Sequence, residues 1–171
     1  MTNLGGARRT SLVSALIGTV LGWLLFALLV GLIIGPRAAQ TADRLAYAAA
    51  WLLPPALLLF VMTMAIGIAR FRSDGIDPTA GADSRFITVS NRALANTVEQ
   101  SLIFALGALA MAALTPAGQL GLLGALSLLF VLARVAFWVG YLRDPMWRYA
   151  GFALTAEINV VLLAWTVAHL I

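Results

Sequence analysis

Three polar residues share one face of a largely apolar stretch in the middle of the chain. Arg92, Asn96 and Glu99 are spaced i, i+4 and i+7, so they stack along one side of a predicted helix. Ionisable groups in so apolar a setting are costly unless they are paired or solvated, which makes each of them a candidate functional residue. Equally, Arg92 and Glu99 can neutralise partners on neighbouring helices, and both interpretations stay open on spacing alone.

A second constellation follows about forty residues later. Arg134, Phe137 and Tyr141 are spaced i, i+3 and i+7, and Arg148 comes after a polar turn. We expect Tyr141 and Arg148 to lie near the boundary of the apolar region, where a polar ligand can reach them.

Arg134 lies deeper in the same apolar stretch. It precedes the polar turn by about as many residues as Glu157 follows it, so antiparallel helices would place the two at similar depth. This predicts a structural ion pair of Arg134 with Glu157, with Glu99 as a second possible partner.

The elements that position these residues are long apolar runs. Of 171 residues, 62% are apolar and 11% are charged, and each run is long enough to cross a hydrocarbon core as a helix. The predicted fold class is all-α: a polytopic membrane helical bundle of five spans. The predicted spans are Ser11–Ile34, Leu45–Ala69, Arg85–Leu114, Gln119–Leu142 and Met146–His169.

Particular residues define the ends and irregularities of these spans. Gly18-x-x-x-Gly22 predicts close helix packing of the first span, which we interpret as a retained helix rather than a cleaved signal. Pro54-Pro55 must kink the second span or delay its start. Asp83 or Ser84 is expected to cap the third.

The charge distribution predicts orientation. All eleven cationic side chains are Arg, and five spans place the Arg-rich N-terminal end, second loop and last turn on one side. The positive-inside rule puts that side in the cytoplasm, and it accounts for the basic balance better than nucleic-acid binding does. Without Cys, thiolate metal sites and cysteine nucleophiles are excluded, and we find no other metal-ligand pattern.

Two segments together resemble the MAPEG family, the membrane-associated proteins in eicosanoid and glutathione metabolism. The segment 92–99, RALANTVE, resembles the family's Arg-Ala-x-x-Asn-x-x-Glu signature. The segment 133–141, ARVAFWVGY, followed by Arg148, resembles its second signature. The resemblance covers about residues 45–171 and implies a four-helix membrane domain there, with residues 1–44 forming an extra N-terminal helix.

The resemblance implies a homotrimer that binds glutathione as thiol co-substrate between subunits on the cytoplasmic side. Arg92 and either Arg70 or Arg72 would hold carboxylates, Glu99 the ammonium group and Asn96 the peptide groups. The implied catalytic pair is Arg148, which would stabilise the thiolate, and Tyr141, which would bind glutathione nearby. Phe137 and Gln100 depart from the pattern, since the best-known members have Tyr at the first position and Tyr or Asn at the second.

The expected function is that of a membrane glutathione-dependent transferase or peroxidase acting on lipophilic electrophiles or lipid hydroperoxides. Two alternatives stay open: a small proton-coupled membrane transporter using Glu99 and Glu157, and a non-catalytic MAPEG-like bundle. The Ala- and Arg-rich, Lys-free composition favours a bacterial inner membrane.

Overall fold

The computed structural model of the protein describes residues 4–37, 40–114, 116 and 118–171. Every regular element in these ranges is helical. The α-helices of the described residues are α1 (Leu4–Leu32), α2 (Thr41–Trp51), α3 (Leu53–Phe71), α4 (Arg85–Leu114), α5 (Gly121–Arg143) and α6 (Tyr149–Ala168). Since α2 and α3 follow each other as one span, the described chain has five helical spans long and apolar enough to cross a membrane. The prediction of a five-span, all-α membrane protein is confirmed.

Helix α5 lies at the centre of the bundle. It packs against each of the other helices, and about half of its residues are buried. The core between α4, α5 and α6 is aromatic and aliphatic, with the rings of Phe104 and Phe130 only 4.6 Å apart between centroids. The bundle is therefore held by close packing around α5, which also carries Arg134 and Tyr141.

The second span is interrupted where its prolines predict. Pro54 and Pro55 occupy the first turn of α3, and the helix breaks at Leu52. Because Pro55 has no amide hydrogen, the Trp51 carbonyl lacks its intrahelical donor. The hydroxyl of Ser127 on α5 donates to that carbonyl instead.

Helix α1 packs along α6 and α5, as its glycines predict. A Cβ on Gly22 would overlap a methyl group of Leu154, and one on Gly35, just beyond α1, would overlap the Gly121 nitrogen. Such contacts leave no room for a larger residue. The N-terminal span is thus an integral packing helix of the bundle.

The Arg-rich segments meet at one end of the bundle. Arg85, at the start of α4, donates to the Leu142 carbonyl near the end of α5 at 2.6 Å. Ser14, in the first half of α1, contacts the turn between α5 and α6. At the same end, Ser84 caps α4 through a 3.3 Å bond from the Ile87 amide, as one of the two predicted capping residues.

Candidate functional site

A pocket of about 340 Å³ opens at the Arg-rich end between α4, α5 and α6. Its size is at the lower end of the range of ligand sites. The residues that line it are Arg92, Asn96, Phe137, Tyr141, Arg148, Tyr149 and Phe152. Five of these belong to the two signatures singled out in the sequence, and two of the five are arginines. The pocket thus combines two guanidinium groups with an aromatic wall.

Arg148 is held between two aromatic rings. Its guanidinium carbon lies 4.8 Å from the ring centroid of Tyr141 and 5.1 Å from that of Tyr149. Both contacts are within cation–π range, and Nη2 also donates to the Tyr149 hydroxyl at 3.5 Å. The hydrogen bond to Tyr149 raises the pKa of Arg148 above its already high ordinary value. A fixed, permanent positive charge therefore faces the pocket.

The orientation of the Asn96 amide is determined by its neighbours. Its Oδ1 accepts from Arg134 Nη2 at 2.9 Å, and its Nδ2 donates to Glu99 Oε2 at 3.4 Å. A guanidinium has donors only, so the amide oxygen must face Arg134. Glu99 is exposed and lies one turn beyond Asn96, outside the pocket lining.

The predicted ion pair of Arg134 with Glu157 is wrong. Arg134 is fully buried, and its Nε and Nη2 donate to Thr97 Oγ1 at 3.2 and 2.9 Å. The two oxygens of Glu157 accept from Thr19 Oγ1 and Trp23 Nε1, both on α1 and both at 2.8 Å. Glu157 lies on the face of α6 that packs against α1. The prediction compared only the depth of the two residues along their helices, and depth does not show which face a residue occupies.

Glu99, the alternative predicted partner of Arg134, is linked to it through the side chain of Asn96. The ring of Phe137 completes the surroundings of Arg134, with the guanidinium carbon 4.0 Å from its centroid. Phe137 thus offers Arg134 an aromatic face and no hydroxyl.

Arg70 and Arg72 do not line this pocket. Arg70 forms a salt bridge with Asp83 at 2.7 Å and donates to the Gly75 carbonyl at 3.1 Å, so it braces the loop before α4. Arg72 is exposed at the end of α3.

Two pocket residues at the start of α6, Tyr149 and Phe152, were not predicted from the sequence. They follow Arg148 by one and four residues, so all three lie on one side of the helix start. This spacing could have predicted them as pocket residues. Gln100 turns away from the pocket, since its side-chain oxygen accepts from Asn159 Nδ2 at 2.8 Å. It joins α4 to α6.

Five long apolar helical spans define the class: an integral, multi-pass helical membrane protein. The model of the MAPEG family matches residues 47–168, most of the chain, and the protein belongs to that family. Compared with individual curated proteins, the chain gave no match. Helix α1 lies outside the matched residues. MAPEG proteins are generally associated with glutathione and commonly form oligomers.

Proposed function

We propose that this protein is a glutathione-dependent transferase or peroxidase that acts on lipophilic electrophiles or lipid hydroperoxides. The observation that carries the proposal is the Arg148 guanidinium, fixed between Tyr141 and Tyr149 at the wall of a pocket that also holds Arg92. A fixed cation beside a bound thiol favours its ionised form.

The proposed binding roles follow the charges of glutathione. Arg92 binds a carboxylate, Asn96 binds peptide groups through its remaining hydrogen-bonding capacity, and Glu99 binds the ammonium group. We place the second carboxylate on Arg70 or Arg72 of a neighbouring subunit in a homotrimer. Glu99, Arg70 and Arg72 lie outside the pocket formed by one chain. If they bind glutathione, they must therefore do so from a neighbouring subunit, which supports a shared site.

The proposed catalytic step depends on thiolate formation. A free thiol with a pKa of about 8.5 is only ~3% ionised at pH 7, and lowering that pKa by two units takes about 2.7 kcal/mol. The thiolate then forms a sulfur–carbon bond with the electrophile, which releases its leaving group or takes up a proton. With a hydroperoxide, it attacks oxygen and releases the alcohol, and a second glutathione converts the resulting sulfenic acid to disulfide and water.

The membrane location fits an apolar co-substrate. We propose that the Arg-rich end faces the cytoplasm of a bacterial inner membrane, so that glutathione enters from water and the electrophile from lipid. We also treat residues 1–44 and 45–171 as the extra helix and the catalytic domain. Proton-coupled transport is less favoured, because Glu157 is bonded to α1 on a different face of α6 from the pocket residues.

Glutathione binding by calorimetry on the detergent-purified protein tests the proposal. We expect wild type to bind glutathione with a dissociation constant of about 1 mM or lower. Arg92→Ala should weaken binding by about tenfold or more, because a charge-assisted hydrogen bond contributes about 1.5–3 kcal/mol. Arg143→Ala is the matched control, since Arg143 is exposed at the same end and does not line the pocket. Absence of binding by wild type would overturn the glutathione assignment in favour of another thiol or a non-catalytic bundle.

A further inference from the structure

The backbone around Arg148 is held by a helix that lies outside the family match. Ser14 of α1 is buried, and its Oγ donates to the Trp147 carbonyl at 3.1 Å and accepts the Ala150 amide hydrogen at 3.1 Å. Trp147 and Ala150 lie on either side of Arg148 and Tyr149. One hydroxyl therefore bridges the backbone on both sides of Arg148 and Tyr149, which line the pocket.

This hydroxyl supplies what the start of α6 lacks. The first amides of a helix have no intrahelical acceptor, and a Ser, Thr, Asp or Asn side chain at the N-cap usually provides one. Arg148 occupies the N-cap of α6, makes no side-chain cap bond and carries donors only. The Ala150 amide also has a longer turn contact of 3.4 Å to the Trp147 carbonyl. Ser14 thus caps α6 from another helix.

The position of α1 along α6 is fixed by contacts at the first turn of α6 and farther along the helix. A Cβ on Gly18 would overlap the Ala150 carbonyl oxygen, so the two backbones are in direct contact. Farther along, Thr19 and Trp23 each donate to one oxygen of Glu157 at 2.8 Å. These contacts set the register that keeps the cap hydroxyl opposite the first turn of α6.

We propose that α1 is a positioning element of the site, and that Ser14 is a positioning residue that holds Arg148 between Tyr141 and Tyr149 by capping α6. The inference rests on the proposed function, in which Arg148 stabilises the glutathione thiolate. It assigns a role to the helix that distinguishes this chain from the matched four-span domain.

Two readouts on Ser14→Ala test the cap and its link to the site. Amide hydrogen exchange should become about five-fold faster at Ala150, as expected for the loss of one neutral hydrogen bond. The ultraviolet absorbance of bound thiolate should fall, while the dissociation constant of glutathione rises by no more than about four-fold. That is the change linked to losing a two-unit shift of the thiol pKa at pH 7, and Arg92 on α4 is untouched. Ser14→Thr keeps the hydroxyl and should restore both readouts toward wild type.

Thr10→Ala is the matched control, because it removes a hydroxyl one turn away that donates within α1 to the Gly6 carbonyl. Unchanged exchange at Ala150 in Ser14→Ala, or the same change in Thr10→Ala, would overturn the cap. Faster exchange with an unchanged thiolate signal would overturn its link to the site. If wild type binds no glutathione, the proposed function and this link both fail, while the exchange experiment still decides the cap.

Discussion

At the scale of single residues, the site depends on a buried arginine that does not touch the pocket. Arg134 is fully buried. It donates a hydrogen bond to the Asn96 amide oxygen, and its guanidinium stacks on the ring of Phe137. Its partners in the described part of the chain are neutral oxygens of Asn96 and Thr97. Arg134 thus joins α5 to α4, and we infer that it orients Asn96, a proposed binding residue.

Replacing Arg134 by Met should weaken glutathione binding by about five- to tenfold, because Asn96 loses the donor that orients it, a loss of about 1 kcal/mol or slightly more. Calorimetry measures this, with circular dichroism to verify helix content. The control is Thr155→Val, which removes a buried hydroxyl that bonds only to the Gly151 carbonyl of its own helix among the contacts described. Equal affinity in wild type and Arg134→Met would contradict the orienting role.

The signatures predicted which residues face the pocket better than which residues pair. Arg92, Asn96, Tyr141 and Arg148 follow from helical spacing and the resemblance, and all four line the pocket. The partner of Glu157 could not be predicted in the same way. Spacing along a sequence shows how deep a residue lies and which face of its helix it occupies, but it does not show which other helix covers that face. Thr19 and Trp23, a polar pair at i and i+4 on α1, were the available signal.

At the scale of elements, the proline break in the second span is coupled to α5. Pro55 removes the amide that would bond the Trp51 carbonyl, and Ser127 replaces it. Irregular backbone at membrane depth is tolerated when a neighbouring side chain restores the lost hydrogen bond. The prolines thus predicted the break, but the compensating residue required the packed structure.

A double-mutant cycle tests this coupling. Ser127→Ala should destabilise the protein by about 1–3 kcal/mol, because the Trp51 carbonyl is left unpaired. In the Pro55→Ala background the same change should cost less, since the alanine would bring a new backbone amide within the helix. Unfolding in detergent gives both values.

Thr63→Val is the control for loss of a hydroxyl, since Thr63 bonds the Leu59 carbonyl of its own helix. Equal costs of Ser127→Ala in the two backgrounds would show that Ser127 does not compensate for the proline.

At the scale of the whole molecule, one end of the bundle gathers the Arg-rich segments and the pocket. The start of α4, the end of α5 and the turn before α6 meet there through contacts such as Arg85 with the Leu142 carbonyl. Five spans and the Arg count predicted this arrangement from the sequence. The contribution of α1 to the same end was not predictable, because its glycines indicate close packing without identifying the partner.

The central claim is that Arg148 lowers the pKa of the bound thiol, and the pH dependence of thiolate absorbance at saturating glutathione tests it most directly. Because the hydrogen bond to Tyr149 raises the pKa of Arg148, its charge stays constant while the thiol titrates. A lowered thiol pKa means more thiolate at a given pH, so the wild-type midpoint should lie below the free thiol's pKa of about 8.5. In Arg148→Ala the midpoint should return toward that value, and identical midpoints in the two proteins would contradict the claim.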